Sequence, residues 1–162
     1  MNLSAIIPGM KFPKNSVLLT SIVVLVLISG CVQESGETGK MSFETLAKGH
    51  YSGHKSSGNL VINDPDTFTQ VWNLTFAGRS PFTPVPETDF SNATVIAAFM
   101  GEFSTGGYSI EIKEMTGYPD KVIVSVERTS PEPGSPVTMA LTQPYHIVKT
   151  EKITKPVVFE ES

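Results

Sequence analysis

Between Thr94 and Glu160 the apolar residues fall into five short runs, TVIAAFM, YSIEIKEM, KVIVSVER, YHIVKT and PVVFE, each closed by glycine, proline or polar punctuation. Runs of this length and composition predict five strands. Two of them alternate: Tyr108, Ile110 and Ile112 share one face, Val122, Val124 and Val126 another, and TGYPD joins them. That pattern predicts an antiparallel hairpin with one wet face. VIAAFM is apolar throughout, as a central strand must be, and NLVIND upstream predicts a further strand.

The one helix begins in NDPDTFTQVWNLTFAG. Asp64 can cap the first amides, Pro65 suits the first helical position and Gly78 can close the end. Phe68, Val71, Trp72 and Phe76 recur at helical spacing and predict a face packed on a sheet. Beyond it, SPFTPVPETDFSN carries Pro81, Pro84 and Pro86, which exclude helix or central strand and predict an extended surface loop. The sum is an α+β fold, a predominantly antiparallel β-sheet with one amphipathic helix packed on it.

The first thirty residues read as an address. Lys11 and Lys14 precede SVLLTSIVVLVLI, a run of thirteen that suits a signal-peptide core and is short for a membrane span. It ends in ISGC, which resembles a lipobox, the site where a lipoprotein precursor is cut and the cysteine lipidated. Cys31 is the sole cysteine, which fits a lipid attachment point better than a disulfide, metal or redox role. Met10 opens a second possible signal peptide. Residues 1–30 are thus a lipoprotein signal peptide, and 31–41, with the polar QESGETGK, a lipidated cysteine and flexible tether. Residues 42–162 form a single α+β domain. Ten basic against sixteen acidic residues follow residue 30, a net charge of −6 with no basic cluster, which argues against nucleic acid or an electrostatic membrane surface as the main partner.

Catalytic patterns are sparse. His50 and His54 sit in KGHYSGHKSSG, where glycine and serine oppose a helix, so solvated loop histidines are expected rather than a metal pair. No G-x-S-x-G elbow accompanies them, and STGGY lacks the P-loop lysine and a following helix. The expectation is no enzyme, no cofactor and no metal. Asn73 and Asn92 open N-x-[ST] sequons, relevant only in a glycosylating host.

GEFSTGGYSI, Gly101 to Ile110, interrupts the strand pattern with two adjacent glycines, which need a backbone reason. With KVIVSVERTSPEPGSPVTMALTQPYHIVKTEK and KPVVFEES, this stretch resembles the PrcB carboxy-terminal domain family. Gly101, Thr105, Gly106, Gly107, Tyr108 and Ile110 match its first motif; Pro131, Pro133 and Gly134 its turn; Thr142, Pro144, Tyr145 and Val148 its last strand. The resemblance covers residues 94–160. The family is typified by a lipoprotein subunit of a secreted, subtilisin-like serine protease complex. The resemblance implies a non-catalytic accessory lipoprotein on the outer face of the membrane or in the envelope, held by a lipid on Cys31.

A second resemblance is to chagasin-like inhibitors of papain-type proteases. It is carried by loops 103–108, 131–136 and 143–145 in the same order. Phe103 and Ser104 replace the family's Asn-Pro, while Gln143 and Tyr145 replace its Arg and Trp. A structural envelope lipoprotein is the third reading. The residues expected to touch a protein partner are Thr105, Gly106, Gly107, Tyr108, Pro131, Pro133, Gly134, Pro144 and Tyr145. Tyrosines and prolines offer rigid contact area, and the glycine pair either clears space for another chain or bends one strand away from the next.

Overall fold

The computed structural model describes residues 38–162; the expected signal peptide, Cys31 and most of the tether lie outside the described residues. The strands are β1 (Gly39–Met41), β2 (Phe43–Gly49), β3 (Gly58–Ile62), β4 (Ala93–Phe99), β5 (Ser109–Gly117), β6 (Val122–Thr129), β7 (Tyr145–Glu151) and β8 (Val157–Glu161). One helix, α1 (Pro65–Thr75), separates β3 from β4. All six predicted strands and the helix are present, and β1 and β2 are additions. The segment expected as tether through residue 41 is therefore already strand at Gly39, paired with Gly117.

The strands divide into two four-stranded sheets, ordered β1-β5-β6-β8 and β2-β7-β4-β3. Every pairing is antiparallel except β6 with β8, which is parallel. Between the sheets lies the first core, with Ile96 and Ala98 from β4, Ile110, Ile112 and Met115 from β5, Val122, Val124 and Val126 from β6, and Val148 from β7. The valines and isoleucines of the predicted hairpin share this one interior. Their alternate neighbours Glu111, Lys113 and Glu127 form ion pairs on the outer face, which is the expected wet face.

The second core lies on the other side of the β2-β7-β4-β3 sheet. Phe68, Val71 and Trp72 of α1 bury there against Val95, Ala97, Phe99, Tyr145 and Ile147. This explains β4: its odd residues face the helix and its even residues face the second sheet, so no position can be polar without a partner. The helix starts as read, with Asp64 Oδ1 accepting from the Thr67 N–H at 2.8 Å and Pro65 at its first position. Gly78, at φ +73°, turns the chain away after the last turn.

The register sets a polarity. β1 and β2 begin, and β5 and β7 finish, at one end of the sandwich, where Gly39 faces Gly117 and Phe43 faces Thr150. We call it proximal, because the chain enters the fold there. At the distal end Gly49 faces Tyr145, Gly58 faces Phe99 and Ser109 faces Thr129. The 50–57, 100–108 and 130–144 connections all emerge distally.

Candidate functional site

The three distal connections are sewn together through a few polar groups. Phe103 and Thr142 exchange backbone hydrogen bonds of 2.8 and 2.9 Å, and the Thr142 hydroxyl donates to Thr105 O at 2.7 Å. Gln143 is the hub: its backbone N–H donates to His50 O at 2.7 Å, its Oε1 accepts from the Gly53 N–H at 2.8 Å and its Nε2 donates to Glu102 Oε2 at 2.6 Å. A buried amide that uses both ends and its own backbone fixes loop positions, since leaving any of these groups unpaired costs about 1–3 kcal/mol.

The glycine pair is filled by this chain. A Cβ on Gly106 would lie 2.3 Å from Thr138 Oγ1, and the Gly106 N–H donates to Thr138 O at 2.9 Å. Gly107 has φ +92°, and a Cβ there would also meet Pro131 at 3.0 Å. At Gly106 the space expected for a partner is occupied by Thr138, whereas Gly107 stays exposed with Pro131 and Val137 on one side of it. Between the two, the bend reading is the one the geometry supports. Tyr108 leaves the turn half-buried and stacks on Phe103, with ring centroids 3.8 Å apart and planes 9° from parallel.

The loop pairing of Gly101–Tyr108 with Pro131–Tyr145 is bracketed by β4, β5, β6 and β7. Residues 94–151 match the PrcB C-terminal family. No curated protein and no solved structure matches the chain. The PrcB C-terminal match takes in β4 to β7, the centre of one sheet and the hairpin of the other, together with both distal loops. β1 to β3, α1 and β8 lie outside it.

Within the matched region the expected contact residues separate. Tyr145 is only 2% exposed and packs edge-on to Phe76 at 6.1 Å, beneath α1. It is a core residue, contrary to expectation, because the strand alternation that places His146 and Val148 between the sheets turns Tyr145 and Ile147 to the helix. Pro144 is buried as well, and its carbonyl accepts from the Met100 N–H at 2.9 Å. Neither can offer contact area. Gly106 is buried and Thr105 half-buried, whereas Pro133 and Gly134 are exposed at the tip of the 130–144 connection. The burial of Tyr145 also removes the aromatic that a three-loop inhibitor would present from its last loop.

What the distal end does present is apolar and was not marked by periodicity. Met139 is 88% exposed and Leu141 47% on the 130–144 connection, and Tyr51 is 53% exposed on the neighbouring one. The segment TMALT could have signalled this, since MAL is an apolar run with no strand around it. Phe82, 72% exposed, follows the turn after α1, whose Arg79 donates to Tyr51 O.

Two histidines are drawn into the interior, and one of them, His54, was expected as a solvated loop residue. His54 is half-buried, stacked on Phe99 at 3.7 Å, and its Nε2 bonds Thr75 Oγ1 at 3.1 Å; burial lowers its pKa. His146 is buried between the sheets, where its Nδ1 accepts from the Ile112 N–H and its Nε2 donates to Thr45 Oγ1, both at 2.9 Å. Because Nδ1 accepts, the neutral ring carries its proton on Nε2. Burial first, then the nearby Lys48 charge, pushes the pKa down to about 4, against the pull of Glu111. His146 is a brace between the sheets. His50 is exposed, and among the described residues no three His, Cys, Asp or Glu side chains converge as a metal site.

Proposed function

We propose that the chain is a membrane-tethered, non-catalytic accessory lipoprotein whose distal end binds and stabilises an extracytoplasmic protease or protease complex. The observation that supports it is the polarity of the fold. The chain enters at Gly39, at the proximal end, eight residues after the lipobox cysteine, while the paired loops of the PrcB C-terminal region and the exposed Met139, Leu141 and Tyr51 lie at the distal end. A tether at one pole and an apolar, hydrogen-bond-pinned surface at the other suit a protein that holds a partner off the membrane. The protease identity of the partner comes from the family resemblance; the surface itself asks only for a protein.

The contact surface in this reading is Met139, Leu141, Tyr51 and the Pro133–Gly134 tip. Crosslinking of the native anchored protein, followed by identification of what is recovered, tests it. A secreted protease should be captured by the parent and lost with Met139→Glu plus Leu141→Asp, at an unchanged melting temperature. Equal capture by that double variant would remove the distal surface from the proposal. Capture of no extracytoplasmic protease by the parent would remove the accessory role.

A further inference from the structure

Each sheet ends in two edge strands, β1 and β8 in one, β2 and β3 in the other. A bare edge offers a row of unpaired N–H and C=O groups to any other strand, and folded proteins guard against this with charge, bulges or brevity. Three of the four edges are guarded. β1 is three residues long and carries Lys40, paired with Glu114. β2 has the shift between Thr45 and Ala47, with Glu44 and Lys48 in ion pairs to Lys149 and Glu111. β8 ends in Glu160 and Glu161.

β3 has none of these devices. Its five residues, GNLVI, include no charge and no proline, and its register with β4 runs unbroken from Gly58 opposite Phe99 to Ile62 opposite Val95. Among the described residues β4 is its one strand partner. An antiparallel pair uses the backbone groups of alternate residues, so the others on β3 point away from the sheet. Leu60 and Val61, on its two faces, are 39% and 37% exposed, and a Cβ on Gly58 would meet nothing within 4 Å. Across the sandwich the Glu161 carboxylate is paired with Arg128, whose Nη2 also reaches Asn59 Oδ1 at 3.4 Å. β3 lies outside residues 94–151, so this edge is no part of the family match.

We infer that β3 pairs with β3 of a second copy of this chain, antiparallel about a two-fold axis at Leu60, so that two four-stranded sheets continue into one another. The strand is its own complement. Leu60 meets Leu60 on the axis, and Asn59 of each copy meets Val61 of the other on the opposite face. The flanks fit as well. Lys55, whose O accepts from the Glu102 N–H at 3.1 Å, continues the edge at the distal end, and exposed Asp64 and Asp66 follow it at the proximal end. Antiparallel pairing sets each Lys55 beside Asp64 and Asp66 of the other copy, an attraction made twice, and brings no like charges together within the strand. One unguarded edge per copy closes the assembly at two chains, because β3 is used up in the contact and no second bare edge continues it. Five paired residues a side make a small interface, so monomer and dimer exchange with concentration. The proximal ends point in opposite directions in such a dimer, and two copies anchored in one bilayer lie with their strands along its surface. The inference concerns the folded domain and does not rest on the tether.

Thiol crosslinking tests it on the full chain in detergent solution, with Cys31→Ser so that an introduced thiol stands alone. Leu60→Cys should be joined to a second copy by a short thiol-to-thiol crosslinker, and Val158→Cys, on the guarded β8, should not. In sedimentation, Leu60→Lys sets two ammonium groups face to face on the axis and should weaken dimerisation about ten-fold or more, at unchanged melting temperature. Lys55→Glu should weaken it too, and Asp66→Lys added to Lys55→Glu should recover part of the loss. Met139→Glu plus Leu141→Asp should leave the dimer intact. A chain that stays monomeric as its concentration rises, equal crosslinking at Leu60→Cys and Val158→Cys, or a dimer indifferent to Leu60→Lys overturns the inference. A dimer lost with the Met139 and Leu141 changes places the contact at the distal surface and overturns it as well.

Discussion

At Gly106 the obstacle to a side chain is Thr138, whereas at Gly107 it is the backbone itself. The two should separate in a stability measurement. Gly107→Ala forces a left-handed conformation beside Pro131 and should cost roughly 1–3 kcal/mol in chemical denaturation. Gly106→Ala should also destabilise, but Thr138→Ala in the same chain should recover most of the loss, because the clash is with one hydroxyl. A double-mutant cycle with no coupling would contradict that contact. The sequence could say that adjacent glycines in a strand pattern need a reason, but the reason sits some thirty residues downstream, where no local rule reaches. His146 was equally silent. Its folded pKa of about 4 lies below the usual 6.5, so between those values the unfolded chain binds the extra proton and stability falls as the pH falls. The parent should lose about 2–3 kcal/mol over that window. His146→Asn, which keeps an acceptor near the Ile112 N–H, should lose less. His54, lowered in the same direction, contributes to both proteins and cancels in the comparison.

Helix α1 and the hairpin β5–β6 were legible because each obeys its own period from end to end. The helix also carries its own start signal. Asp64→Ala should cost about 1 kcal/mol through the lost cap, and Phe68→Ala about 3–5 kcal/mol through the cavity left beneath the helix, both read from thermal melts. A Phe68→Ala loss no greater than that of Asp64→Ala would mean that α1 is not packed as described. β2 was not legible, and the cause is a register shift between Thr45 and Ala47. One extra residue switches the inward positions from one parity to the other, so Phe43, Leu46 and Ala47 never alternate. β1 is only three residues long and follows a polar, glycine-containing stretch, which reads as linker until β5 is there to pair with it. β5 has a shift of its own between Ile112 and Glu114, and so Met115, rather than Glu114, continues the buried row.

For the molecule as a whole, the strand periods predicted sheet and helix but not that the strands would part into two sheets, since parity says which side chains share a face and not which sheet they join. The gathering of the TGGY, PEPG and QPY loops at one end is likewise a product of topology. Cys31→Ser should abolish lipid labelling and disturb precursor processing; continued labelling of that variant would mean the lipid is elsewhere. The chain's first strand leaves one sheet at Ser42 and joins the other, so β1 and β2 run in the same direction from the proximal to the distal end. Suppose the distal end is held and the N-terminus is pulled. The force then runs along β1 and β2, at right angles to their hydrogen bonds with β5 and β7. Such bonds are loaded together in shear and must yield as a set, whereas strands peeled sideways would give way one bond at a time. A domain built this way resists extension by its tether, and under single-molecule stretching from the N-terminus it should rupture at higher force than when the same strands are peeled apart from a lateral attachment.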